Sequence, residues 1–179
     1  LKSYDLMAYD PLNEAVAIAR DLEVIRAVGG RVHFQHISTV RSVELIRQAK
    51  RENLKVTAEV CPHHLTLTQD SIAIHGTYAK MSPPLRSQCD VDAMKEGLRN
   101  GLVDVIATDH APHHNDEKFV EFDNAPFGIL GLQTLVPLTL KLVKEGVISL
   151  ERMVELTSSN PAKILHLKNK GKIAKGMLA

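Results

Sequence analysis

The sequence has little of what several large classes of protein depend on. It contains no tryptophan, and aromatic residues make up only 4% of its 179 residues, which argues against a surface that stacks nucleobases. The formal net charge is +1 and the basic residues are dispersed, so no basic patch predicts binding to nucleic acid or to a membrane surface. No apolar run reaches the roughly eighteen residues that a membrane span requires. We therefore expect a protein that engages neither nucleic acid nor membrane.

Cysteine is scarce as well. Cys61 and Cys89 are the only two, and they form no CxxC pair. Reduced, unpaired thiols in a cytoplasmic protein are the interpretation that this favours. The sequence shows no signal-peptide or lipidation pattern, which also favours a cytoplasmic location. The chain opens at Leu1 without an initiator methionine, and we expect it to be part of a longer protein.

Strand-like and helix-like patterns alternate along the chain, and this alternation predicts an α/β fold with a parallel sheet. A complete (β/α)8 barrel has eight strands and usually takes about 250 residues. The three strands predicted here would form only part of one. The predicted strands are 31–36, 55–61 and 103–108. The predicted helices are 11–28, a segment capped by Ser38–Thr39 that ends at Lys50–Arg51, 69–74, 91–99, 129–144, 150–156, and 161–167 with Ser159–Asn160 as its cap.

The stretch from Ala107 to Lys118 carries the strongest chemical signal. Asp109 directly follows a buried strand, Pro112 prevents that strand from continuing, and three histidines lie in the loop. The carboxyl end of a strand is where an α/β barrel places its chemistry. The alternative is a solvated loop with chance histidines, but nothing structural requires an acid at that point.

His36 ends an earlier strand in the same way, and neutral imidazole binds zinc well. Alternation places it on one face with Val32 and Phe34, which we expect to line a barrel interior, while His33 faces the helices in a structural role. Alone, His36 would more often be a core histidine. Its equivalence to Asp109 favours a metal ligand.

His63 and His64 also suggest a metal site. We expect them to continue the second strand, where adjacent side chains point in opposite directions. They could then not both bind one ion easily, so we interpret them as structural.

The run from Ala107 to Lys118 resembles the second signature of the dihydroorotases: a small residue, Ser or Thr, Asp, any residue, Ala-Pro-His, four residues, then Lys. Every specified position is met. The segments 32–39 and 57–65 resemble the sixth and seventh strand segments of that family. The resemblance implies the C-terminal part of a TIM-type (β/α)8 barrel, strands 6 to 8, with a partial metal-dependent hydrolase barrel at 1–170. Residues 171–179 would begin a truncated C-terminal strand segment.

The resemblance also implies roles for particular residues. Two zinc ions occupy the family's complete site, and most of their ligands would lie before Leu1. Since a stable zinc site needs about four ligands, we expect this chain alone to be inactive. The implied roles are zinc ligation by His36 and Asp109, catalytic proton transfer by Asp109, and substrate binding by Ser82, His113, Pro126 and Gly128.

The function implied is reversible, zinc-dependent cyclisation of N-carbamoyl-L-aspartate to dihydroorotate in pyrimidine biosynthesis. The resemblance also implies that the protein binds a small-molecule substrate and forms a homo-oligomer, and aspartate transcarbamoylase is a candidate partner. One departure keeps alternatives open: dihydroorotases usually have Asn where this chain has Ser82. Serine at that point is typical of hydantoinases and dihydropyrimidinases. A metal-free, dihydroorotase-like scaffold subunit is the other alternative.

Overall fold

Helices pack against one face of a three-stranded parallel sheet in the computed structural model, which describes residues 9–178. The strands are β1 (Arg31–Phe34), β2 (Lys55–Val60) and β3 (Val105–Ile106). The helices are α1 (Pro11–Val28), α2 (Val40–Arg51), α3 (Pro62–Thr66), α4 (Ile72–His75), α5 (Gln88–Arg99), α6 (Asn115–Lys118), α7 (Leu132–Lys144), α8 (Leu150–Val154) and α9 (Asn160–Ile164). Short 3₁₀ turns lie at Gln69–Ser71, Gly76–Ala79 and Phe122–Asn124.

Capping residues explain where the long helices begin. The Asp10 side chain accepts from the amide of Leu12 at the start of α1, which has the predicted bounds. The Thr39 side chain does the same for α2. Helix α5 begins three residues before the predicted position, because Ser87 forms a capping box with Asp90 in the first turn of the helix.

The sheet has the order β1–β2–β3, and all neighbouring strands are parallel. The predicted α/β class with a parallel sheet is therefore confirmed. The ladders are shorter than expected, since β1 ends at Phe34 and β3 contains only Val105 and Ile106. Within residues 9–178, β1 and β3 pair only with β2, which leaves their outer edges open.

The predicted orientation of β1 is wrong. Phe34 is buried in the core beside helix residues such as Leu22 and Ile46, with Val32 packed against the same cluster. His33 lies on the opposite face, where its Nδ1 is 2.8 Å from Thr57 Oγ1 and its Nε2 is 2.9 Å from Glu59 Oε2. Alternation shows which residues share a face, but only the helices decide which face is covered.

The helices near the C-terminus also differ from the prediction. Instead of separate helices at 150–156 and 161–167, a π-helical turn at Glu155–Ser159 joins α8 directly to α9. Ser159 is helical and caps nothing; its hydroxyl donates to the carbonyl of Gly171 at 3.0 Å. Residues 171–178 form bends and a turn rather than the predicted strand. No helix within residues 9–178 is both long and apolar enough to span a membrane.

Asp104 connects four parts of the fold. Lys50 Nζ of α2 donates to both of its carboxylate oxygens, at 2.9 and 2.8 Å. One of these oxygens also accepts from the Ala58 amide of β2 at 2.9 Å. The Asp104 carbonyl accepts from Asn160 Nδ2 of α9 at 2.9 Å. The residue thereby holds the start of β3 against the central strand and the helix layer.

We predict that Asp104→Ala destabilises the protein by about 2–4 kcal/mol, because it leaves a half-buried ammonium and a backbone amide without their acceptor. Chemical denaturation would measure the change. Asp116→Ala is the control, because that carboxylate is 92% exposed and its loss should cost less than about 0.5 kcal/mol. Equal effects of the two substitutions would contradict the role given to Asp104.

Candidate functional site

Because the strands are parallel, the segments that follow them emerge together. We call this the carboxyl edge; it comprises residues 35–39 after β1, 61–64 after β2 and 107–110 after β3. His36 and Asp109 both lie there, and both have a positive φ, 36° and 46°. Non-glycine residues rarely adopt this conformation, and where they do, functional sites are over-represented. The structure places the two predicted zinc ligands at one edge; ligation itself stays a prediction.

His36 shares a cavity of about 350 Å³ with Ser82. A buried ion pair also lines this cavity, and in it Arg86 Nη2 lies 3.6 Å from Glu14 Oε2. The Glu14 carboxylate accepts from the Ser38 amide at 2.8 Å, and Arg86 Nε donates to the Ser38 hydroxyl at 3.1 Å. Burial lowers the pKa of the Arg86 guanidinium, although Glu14 opposes that shift. These bonds tie the segment after β1 to the proline-rich segment that carries Ser82.

His113 lies in a second cavity of about 350 Å³, together with Gly128. His113 Nε2 donates to the Phe127 carbonyl at 2.9 Å. Gly128 has φ 147°, and a Cβ added to it would lie 2.6 Å from the carbonyl oxygen of Ala111. The structure therefore brings His113 into contact with the loop that contains Pro126 and Gly128. Asp109 is exposed and lines neither this cavity nor the one beside Ser82.

Lys118 fixes that loop, a role that the sequence did not reveal. Its side chain is only 4% exposed, and Nζ donates to the carbonyls of Pro126 and Gly128, both at 2.8 Å. The carbonyls of Thr77 and Lys80 lie at 3.3 and 3.4 Å from the same nitrogen. Burial lowers the pKa of the ammonium. An ammonium has three donors and no acceptor, so a cage of carbonyls is its natural partner.

The prediction that His63 and His64 continue a strand is wrong. Both lie in α3, which begins immediately after Cys61, and their ring centroids are 4.3 Å apart. Burial lowers the pKa of His63 to about 2 and that of His64 to about 4, while burial raises the pKa of the Cys61 thiol. All three side chains are therefore neutral near pH 7. His64 Nε2 donates to the Pro83 carbonyl at 3.0 Å.

The two other histidines of the 107–118 stretch, His110 and His114, have local partners. His110 Nδ1 accepts from the Gly131 amide at 3.0 Å at the start of α7. His114 caps α6 through its own Nδ1.

The donor types at the carboxyl edge suit zinc, since an imidazole nitrogen and a carboxylate oxygen are among its usual ligands. Two residues are too few to hold the ion, because zinc in proteins takes about four ligands. His36 and Asp109 could therefore supply only part of a coordination shell, and the other ligands of that ion would have to come from elsewhere.

Fold and site together define an α/β protein whose polar groups gather at the carboxyl edge of a parallel sheet. The chain belongs to the amidohydrolase family, whose model matches residues 10–179. It is 52% identical over 167 residues to a dihydroorotase of Endomicrobium trichonymphae, an overlap that spans 93% of this chain and 40% of that protein. It is 53% identical over 154 residues to a dihydroorotase of Geobacter sp. (strain M21), across 86% of this chain and 36% of the relative.

Solved structures show the same fold. The L-hydantoinase (dihydropyrimidinase) from Arthrobacter aurescens is similar with a TM-score of 0.85 at 36% identity, covering 91% of this chain and 37% of that one. The dihydropyrimidinase from Brevibacillus agri NCHU1002 has a TM-score of 0.88 at 27% identity, covering 95% and 39%. The chain thus spans well under half the length of the relatives it matches.

We predict that Lys118→Met loosens the loop at 126–128, because methionine keeps the bulk of the side chain but leaves the carbonyls of Pro126 and Gly128 without the donor they have now. Amide hydrogen exchange should become at least tenfold faster at Gly128, whose amide now donates to the Lys80 carbonyl at 3.0 Å. Lys168→Met at an exposed position is the control. Unchanged exchange at Gly128 would show that Lys118 does not hold the loop.

Proposed function

We propose that the protein containing this chain is a zinc-dependent cyclic amidohydrolase of the dihydroorotase type. It would interconvert N-carbamoyl-L-aspartate and dihydroorotate in pyrimidine biosynthesis. The observation that carries this proposal is the signature from Ala107 to Lys118, because several of its residues take part in one arrangement at the site. Lys118 and His113 bind the main chain of one loop at 126–128, while Asp109 stands at the carboxyl edge. Relatives named dihydroorotase at about half identity support the same conclusion.

We also propose that β1, β2 and β3 are the sixth, seventh and eighth strands of a TIM-type barrel. The open outer edges of β1 and β3 are where further strands would pair. His33, Thr57 and Glu59, on the face away from the helices, would then point into the barrel. This arrangement supports a site at the carboxyl edge, where such barrels carry their chemistry.

In the proposed reaction, His36 and Asp109 hold zinc together with ligands from the rest of the protein. Zinc, when bound, lowers the pKa of water and polarises an amide carbonyl. The Asp109 carboxylate accepts the proton of the attacking water and delivers it to the ring nitrogen as the C–N bond breaks. Ring closure reverses these transfers. His113 and the main chain at 126–128 orient the ring, and Ser82, which lines the cavity that contains His36, also contacts it.

A second candidate is a hydantoinase or dihydropyrimidinase. Ser82 favours it, and so does the likeness to solved enzymes bearing those names. A hydroxyl offers one donor where the amide of asparagine offers two, so the two residues suit different ring edges. Parallel assays with dihydroorotate and dihydrouracil would separate these functions.

A non-catalytic scaffold subunit that supports aspartate transcarbamoylase is a third candidate. It would predict no turnover of either substrate and no bound zinc. Homo-oligomerisation and a cytoplasmic location remain part of the main proposal, and sedimentation of the full protein would test the first of them.

We predict that Asp109→Asn lowers turnover at least about a hundredfold in both directions, since proton transfer by a positioned side chain contributes that much or more. The amide keeps the shape of the side chain but cannot carry the proton. Asp116→Asn, in the nearby helix α6 and exposed, should behave like the wild type. Activity within tenfold of wild type in Asp109→Asn would remove Asp109 from the mechanism.

We predict that Ser82→Asn leaves dihydroorotase activity equal or several-fold higher, because one added hydrogen bond contributes about 1 kcal/mol. Activity toward dihydrouracil should not rise in parallel. Steady-state kinetics with both substrates would measure the ratio. A large loss with dihydroorotate in a folded variant would mean that Ser82 is matched to a different ring.

A further inference from the structure

Three metal-binding side chains converge where β2 turns into α3. Cys61 is fully buried, and His63 and His64 are 5% and 3% exposed. One ligand atom from each residue lies within 4.8 Å of the ligand atoms of the other two. Neither the zinc role proposed for His36 and Asp109 nor the substrate contacts proposed for Ser82 and His113 uses this cluster.

Two nitrogens in this cluster lack the hydrogen bond that buried polar atoms normally make. His63 Nε2 and His64 Nδ1 are buried and have no hydrogen-bond partner. Buried side-chain polar atoms are satisfied in the large majority of cases, and leaving one unpaired costs roughly 1–3 kcal/mol. Each of these nitrogens is therefore available to a bound cation or water.

The bonding of His64 fixes which of its nitrogens can bind a cation. Its Nε2 donates to the Pro83 carbonyl at 3.0 Å, so the proton of the neutral ring is on Nε2 and the lone pair is on the unpartnered Nδ1. A backbone carbonyl behind the far nitrogen is the usual support of a metal-binding histidine, because it sets both tautomer and ring orientation.

We propose that Cys61, His63 and His64 form a second site for one zinc-like cation at the carboxyl edge. One thiolate and two imidazoles are a donor set that zinc accepts, and it differs from the set at His36 and Asp109 by its sulfur. Zn–N and Zn–S bonds of about 2.0–2.3 Å place tetrahedral ligand atoms roughly 3.3–3.8 Å apart. The cluster, with separations up to 4.8 Å, needs to contract by at most about 1.5 Å on any edge.

Binding has a defined proton balance. The thiol of Cys61 must lose its proton, which leaves to solvent as the S–metal bond forms, while both imidazoles bind in their neutral form. Binding should therefore release one proton per ion. A fourth position would be open to water or to a group from another part of the protein.

The test uses the full protein, stripped of metal and then titrated with Co²⁺. A cysteine ligand produces a near-ultraviolet sulfur-to-cobalt charge-transfer band, which an oxygen and nitrogen site cannot produce. We expect this band in the wild type, its loss in Cys61→Ser, and one Co²⁺ fewer bound by that variant. Cys89→Ser is the matched control, because Cys89 is an exposed free thiol, and it should keep both the band and the metal count.

A measurement on the unaltered protein guards against a variant that does not fold. X-ray absorption of the Co²⁺-loaded wild type should show a sulfur scatterer at about 2.3 Å, the bond length for a borderline cation and thiolate. Absence of both band and sulfur scatterer at saturating Co²⁺ would overturn the site. So would a band that survives Cys61→Ser or disappears in Cys89→Ser.

Discussion

Burial of β2 between two parallel neighbours is the constraint on which the rest of this structure depends. Ala58 and Val60 are fully buried against the helix layer, and both flanking strands run in the same direction as β2. Parallel strands have to emerge at the same edge, so the segments after all three meet there. The positions of His36, Cys61 and Asp109 all follow from this one packing arrangement.

Much of this could be predicted from sequence, because strand and helix periods are local. The three strands lie within their predicted ranges, although all are shorter, α1 has the predicted bounds, and Asp109 follows a strand as predicted. The face that β1 turns to the helices could not be predicted in this way. Its polar residue His33 is satisfied by Thr57 and Glu59 on a neighbouring strand, and such partners are distant in sequence.

Other errors had a local signal that the hydrophobic pattern overrode. Pro62 lacks an amide hydrogen and suits the first position of a helix, and it does begin α3. A prediction that gave weight to Pro62 would have placed His63 and His64 on a helical turn rather than on opposite sides of a strand. The role of Lys118 had no such signal, since its four carbonyl partners come from loops on both sides of the site.

The helix layer and the carboxyl edge differ in the kinds of side chain that they bury. The core between the sheet and the helices is mostly apolar, with only hydroxyl groups such as those of Ser42 and Thr139 among its buried polar side chains within residues 9–178. The carboxyl edge and its loops, in contrast, bury Lys118, Arg86, His63 and His64. Each of these groups loses hydration there, and the neutral imidazoles do not regain it through hydrogen bonds at both nitrogens. Replacing Lys118 or Arg86 alone by an apolar residue would leave its hydrogen-bond partners unsatisfied, which is destabilising. Polar side chains concentrated at this edge, together with the positive φ of His36 and Asp109, are features that the binding and catalysis proposed for this edge would require.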